Sequence, residues 1–214
     1  MQLSNTQTLE FHKKMARGER KEKDVYANKP QQLEFDVRFI QNRLKGFKAA
    51  EVLDLGSGTG EIINKIISHL SVVTCVEIFS EFSSSIINSP KVTVKNSDIK
   101  SYVSKNEYDL VTCFGIMHYF NAKEAFQIYN NAFRMLRSQG ELIVKNQFGT
   151  PDERTVNGWS DNLKAHYFAN YRTLKKEVSL LESAGFDQIE IRDIYPRELN
   201  PWDNTHYYAL VAKN

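Results

Sequence analysis

The run Val52-Leu53-Asp54-Leu55-Gly56-Ser57-Gly58-Thr59-Gly60-Glu61 places three closely spaced glycines between an apolar stretch and a helical pattern. Glycines in such a turn let the backbone come close to a ligand and present its amides at the start of a helix. In the nicotinamide fingerprint the third glycine falls five residues after the first. Here it falls at Gly60, and Glu61 stands in the expected place. Asp54 lies two residues before the first glycine. A carboxylate there can accept from an ammonium group but sits awkwardly beside a pyrophosphate. The turn therefore favours a cationic, amino-acid-bearing adenosine ligand over a dinucleotide.

Two histidines are placed to move protons. His118 follows the apolar run 108–114, at a carboxyl edge where open α/β sheets bind ligands. An imidazole with an ordinary pKa near neutrality suits removal of a hydroxyl proton. The alternative is that His118 only caps a helix or packs. His166 opens a second cluster, His166-Tyr167-Phe168-Ala169-Asn170-Tyr171-Arg172, preceded by Trp159 and Asn162. A helix here would bring His166, Asn170 and Tyr171 to one side. Tyr119, Trp159, Tyr167 and Tyr171 would give an aromatic, hydrogen-bonding lining for a sugar or other polar small molecule. The alternative is that these rings pack an insert onto the sheet. His12 and His206 have no supporting context.

These residues need elements to hold them. Apolar, β-branched runs at 51–55, 72–76, 92–94, 108–114 and 141–145 alternate with helical patterns. Ile62, Ile63, Ile66, Ile67 and Leu70 recur at helical spacing. Phe79, Phe82, Ile86 and Ile87 are expected on the buried face of a second helix. Phe126, Tyr129, Phe133 and Leu136 are expected on one face of a helix over 125–136. Thr173 can cap the helix ended by Gly185, and 188–194 and 206–212 read as strands. Continuous apolar strands alternating with helices imply a doubly wound parallel sheet, covered on both faces.

The chain has 214 residues, 41% hydrophobic and 25% charged, which is globular composition. It excludes a disordered chain, a collagen-like chain and a disulfide scaffold. The net charge of +2 argues against a long nucleic acid as partner. That sum is uneven. Residues 13–48 carry eleven Lys and Arg against five Asp and Glu. The segment reads either as a solvated helical face or as a basic rim for an anionic substrate. Cys75 and Cys113 sit in apolar runs and read as buried free thiols. No apolar run has transmembrane length, and the first residues lack a signal-peptide pattern. The expectation is a cytoplasmic protein with no membrane partner.

The glycine turn, with the positions that follow, resembles the class I methyltransferases that use S-adenosylmethionine. The resemblance runs from about residue 50 to the end. It implies a Rossmann-like α/β fold with a seven-stranded, mostly parallel sheet of order 3-2-1-4-5-7-6, strand 7 antiparallel. It implies an N-terminal helical cover over 1–48 and a methyltransferase domain over 49–214, with a substrate-side insert at about 149–172. It assigns Asp54, Gly56, Ser57, Gly58 and Gly60 to the cofactor. Glu77 would bind the ribose hydroxyls, with Ile78 beside it. Asp98 and Ile99 would meet the adenine, Phe114 the methionine part, and Tyr26 would fold over the site. The places where catechol-type relatives carry metal-binding acids read Phe114-Gly115 and Asn146-Gln147, so no catalytic metal is expected.

The leading expectation is S-adenosylmethionine-dependent O-methylation of a small polar acceptor, a sugar or a phosphorylated metabolite. N-methylation of an amine or macromolecule is the second reading. A non-catalytic subunit that only binds the cofactor is the third. The composition leaves the oligomeric state open.

Overall fold

The computed structural model describes residues 6–17, 29–160 and 165–214. Its elements are α1 (Thr6–Ala16), α2 (Lys29–Leu44), β1 (Glu51–Leu55), α3 (Glu61–Ile66), β2 (Val72–Glu77), α4 (Ser80–Ser83) and β3 (Val92–Asn96). There follow β4 (Tyr108–Phe114), α5 (Ala122–Met135), β5 (Leu136–Gly149), β6 (Arg154–Ser160), β7 (Ala165–Tyr171), α6 (Leu174–Ser183), β8 (Gln188–Arg192) and β9 (Thr205–Lys213). Seven strands form one sheet in the order β3-β2-β1-β4-β5-β9-β8, and β6 pairs with β7 in a separate hairpin. Strands β1 to β5 run parallel to one another, while β9 runs antiparallel to both β5 and β8. The order is the expected one, with β9 and β8 standing as the seventh and sixth strands.

The apolar runs are continuous because alternate side chains feed different cores. Leu53, Leu55, Val111, Cys113, Leu142 and Val144 pack into one core with Ala125, Ile128, Tyr129 and Ala132 of α5 and Leu181 of α6. Their neighbours Val52, Leu110 and Ile143 point through the sheet to Ile40 and Leu44 of α2 and Ile63 and Ile66 of α3. Period-two alternation thus buries both faces. Cys75 and Cys113 are buried free thiols, and burial pushes the Cys75 thiol up to about 12.

Three local expectations change. Helix α5 starts earlier, at Ala122, because Asn121 and Glu124 form a reciprocal capping box. Its buried stripe is Ala125, Ile128, Tyr129, Ala132 and Met135, which leaves Phe126 exposed. The stretch after β2 makes only the short α4, so Ile86 is buried but Ile87 faces solvent. Strand β5 begins at Leu136 instead of 141, with Gln139 absorbing an irregularity at φ 66°.

The insert also differs. Residues 165–171 are a strand, paired along their length with 154–160, from Arg154↔Tyr171 to Ser160↔Ala165. A helix here would have brought His166, Asn170 and Tyr171 to one side. Cross-strand pairing decides otherwise, and it puts His166 and Asn170 on the opposite face from Tyr167 and Tyr171.

Candidate active site

The β1–α3 turn ends a strand against which both sheet neighbours are already paired, so the chain must leave it sharply. Gly56, Gly58 and Gly60 all take positive φ, at 77°, 53° and 74°. A Cβ on Gly56 would lie 2.6 Å from Ile116 Cδ1, and one on Gly60 would lie 2.7 Å from Ile86 Cγ1. Those two glycines are needed by the protein's own packing. Gly58 is different, because a Cβ there would meet nothing within 4 Å. Its bare, left-handed backbone faces open space, which is the cradle a close-lying ligand requires.

That space is a cavity of about 800 Å³ at the carboxyl ends of the sheet strands. Asp54, Gly56, Ser57, Gly58, Glu77, Ile78, Asp98, Ile99, Phe114 and Gly115 line one end of it. Asp54 is buried and accepts a 2.6 Å hydrogen bond from the Thr112 hydroxyl. Burial raises its carboxyl above the usual range, and the Thr112 and Ser57 hydroxyls only partly offset this. Glu77 accepts from the Gly58 amide at 2.9 Å and from the Phe79 amide at 3.0 Å. Its pKa too is raised, by burial first. Asp98 accepts from the Lys100 amide and keeps part of its carboxylate exposed to the cavity. Two buried carboxylates with raised pKa values at one cavity end form a site that a cation or a set of hydroxyl donors would complete.

The other end is aromatic. His118 sits in a short 3-10 turn, Met117–Tyr119, and is buried. Its Nδ1 lies 2.7 Å from Asn146 Oδ1, its ring stacks on Tyr171 at 5.5 Å, and Tyr119 stands edge-on at 4.0 Å. Burial pulls its pKa down from 6.5 to about 4, against the raising effect of Asn146. The ring is therefore neutral near pH 7. An Nδ1–H donated to Asn146 leaves the Nε2 lone pair available as a proton acceptor. Tyr119, Tyr167 and Tyr171 line the cavity beside it. Helix α1 closes this end, because the Thr8 hydroxyl donates to Phe168 O at 2.8 Å and accepts from Phe168 N at 2.9 Å.

Residues 52–140 match a family model described as a methyltransferase domain. A 1,6-didemethyltoxoflavin-N1-methyltransferase of Burkholderia thailandensis, solved with 1,6-didemethyltoxoflavin and S-adenosylhomocysteine, has the same fold. Its TM-score is 0.69 at 17% identity, over 96% of this chain and 86% of that one. Residues 52–140 thus resemble a methyltransferase domain, and the chain as a whole has the fold of S-adenosylmethionine-dependent methyltransferases.

Other methyltransferase structures share the fold. A candidate O-methyltransferase of Nostoc punctiforme gives a TM-score of 0.64 at 16% identity, over 89% of this chain. The chain spans only 57% of that protein's length. Phosphoethanolamine N-methyltransferase 2 of Haemonchus contortus gives 0.61 at 14% identity, over 78% of this chain and 49% of that one. No curated protein sequence matches the chain.

Of the sequence-predicted positions, the cavity brings together Asp54, Gly56, Ser57, Gly58, Glu77, Ile78, Asp98, Ile99, Phe114, His118, Tyr119, Tyr167 and Tyr171. Gly60 acts one step back, as the residue preceding α3. Trp159 and His166 are not brought in. They face each other across the hairpin at 5.6 Å, and Trp159 is 59% exposed. Tyr26 and Asn162 lie outside the described residues. No helix among the described residues is long and apolar enough to cross a membrane.

Sequence reasoning missed four positions that the fold assembles. His12, on α1, lines the cavity and meets Tyr119 edge-on at 5.1 Å. Asp36 of α2 pairs with Lys145 of β5 at 3.0 Å, both buried, and accepts from the Tyr195 hydroxyl at 2.6 Å. Asn146 orients His118. A lysine and an asparagine inside a buried apolar strand were the available signals, since such side chains are rarely buried without partners.

Proposed function

We propose that the protein transfers a methyl group from S-adenosylmethionine to an oxygen of a small polar acceptor, a sugar or a phosphorylated metabolite. One observation carries this reading: a single cavity runs from the open Gly58 cradle and its two acids to the neutral, oriented His118. When bound, the cofactor supplies a methyl group already activated on a sulfonium. Asp54 would hold its amino end, Glu77 would accept from the ribose hydroxyls, Asp98 and Ile99 would bound the adenine, and Phe114 would meet the methionine part. Tyr119, Tyr167 and Tyr171 hold the acceptor. His118 Nε2 takes the hydroxyl proton as the new bond forms. For such a displacement the protein mainly has to position two reactants and exclude water. The acceptor's anionic character is part of this proposal, and Arg154 on the cavity rim favours it.

The N-methyl reading is supported by the names of the Burkholderia and Haemonchus proteins. Calorimetry with S-adenosylhomocysteine tests the cofactor half. Binding that falls ten-fold or more in Glu77→Ala is expected, since hydrogen bonds to a charged group are worth about 1.5–3 kcal/mol. Absence of binding would sink the proposal. A labelled-methyl screen of sugar nucleotides, phosphorylated metabolites and amines tests the acceptor half. Transfer only to amines, undiminished in His118→Gln, selects the second reading.

A further inference from the structure

The deepest charged groups among the described residues lie beside His118. Arg172, directly after β7, is 1% exposed, and Glu177 in the first turn of α6 is fully buried. The guanidinium and carboxylate are joined through Nε and Nη2, and the Tyr129 hydroxyl donates to the same carboxylate. A buried ion pair of this kind is weak evidence for stability, because desolvation consumes most of the attraction. The remaining donors have a specific destination. Nη1 donates to Phe120 O at 2.6 Å and Nη2 to Met117 O at 2.9 Å. Those two carbonyls bracket His118 and Tyr119.

The residue before Arg172 acts on the same turn. Tyr171 stacks on the His118 ring at 27° between planes. The end of the hairpin therefore grips the His118 turn by its backbone and by its ring. We propose that Arg172, locked by Glu177 and Tyr129, is a positioning residue that fixes the His118 ring in the cavity. The inference rests on the reading of His118 as the proton acceptor. A planar fork reaches two carbonyls and a carboxylate at once, which an ammonium point charge cannot do. The charged and titratable groups facing His118 are His12 from α1, Lys145 from β5, Tyr171 and Arg172 from the hairpin end, and Tyr119 from its own turn.

The test uses the full chain labelled at histidine nitrogen, with the His118 signals identified by their loss in His118→Gln. Arg172→Lys keeps the charge and removes the fork, so a change cannot be assigned to lost Coulomb repulsion. Wild type is expected to show one neutral tautomer, protonated at Nδ1, with slow exchange of that proton. Arg172→Lys is expected to average the tautomers, speed the exchange at least ten-fold and move the titration midpoint from about 4 toward 6.5. Unchanged ring signals in a folded Arg172→Lys protein overturn the proposal. Should that variant not fold, Tyr129→Phe decides, with a smaller change in the same direction expected and no change overturning it. Failure of the His118 reading looks different: the ring responds to Arg172, yet His118→Gln retains full turnover.

Discussion

His118 shows how one side chain's surroundings set its chemistry. Burial by Tyr119, Tyr171 and the cavity wall holds its pKa near 4, well below the unfolded value of 6.5. The unfolded chain therefore binds more protons than the folded one between those values. Stability from this group is present above pH 6.5 and is lost as pH falls from 6.5 to 4. At about 1.4 kcal/mol per pKa unit the loss is about 3 kcal/mol. Urea unfolding across that range is expected to show the loss in wild type. In His118→Gln the acid dependence should shrink by about that amount, the carboxylates' share being common to both proteins. Equal acid dependence in the two would mean that His118 is protonated as readily folded as unfolded. The residues that could be read from sequence at this scale, Asp54, Glu77 and the glycines, share a local cause. Each stands at the end of a strand whose apolar run announces it. Asn146, which orients His118 from the next strand, is marked in the sequence only as a polar residue in an apolar run, and its role exists only once β4 and the turn after it lie beside β5.

At the scale of elements, what was legible depended on whether the deciding contacts were local. Strands β1, β2, β4 and β5 are visible because two cores demand apolar residues at every position. The insert was not legible because the grouping of His166, Asn170 and Tyr171 held only for a helix, while the decision between helix and strand was made by β6 across the hairpin. The resemblance implied a helical cover over the site, but the contact that seats it was not legible. Its seating rests on Thr8, which occupies both the N–H and the C=O of Phe168 on the edge of β7. Thr8→Val keeps the shape and removes both bonds, leaving two buried backbone groups unpaired at about 1–3 kcal/mol each. Amide exchange is the measurement. Protection is expected to fall across α1 and at Phe168, with β1 and β4 unchanged. Equal loss throughout the sheet would show that α1 is part of the global folding unit instead of a separately docked element.

For the molecule as a whole, the charged site competes with the stability of the fold. Asp54 and Glu77 both have carboxyl pKa values raised by burial, so the folded protein holds protons that the unfolded chain releases. Stability from these groups is present at low pH and is lost as pH rises past the ordinary carboxylate range toward the raised values. Near neutral pH these two buried acids therefore cost stability that a hydroxyl-rich cation would restore. This predicts opposite signs for one substitution. Asp54→Asn, measured without ligand at pH 7.5, should melt at or above the wild-type temperature, because a buried charge has been removed while the Thr112 hydroxyl keeps a partner. With S-adenosylhomocysteine at a hundred times its wild-type Kd, wild type should gain about 2.7 kcal/mol. For a chain of this size that is about 5–10 °C in Tm. If Asp54→Asn weakens binding a hundred-fold, the same ligand concentration should raise its Tm by only about a degree. Thermal melts of both proteins with and without the ligand read all four values together. A variant that melts lower than wild type yet responds fully to the ligand would reverse both signs, and Asp54 would then be a structural acid held by Thr112 and Ser57 with no part in the site.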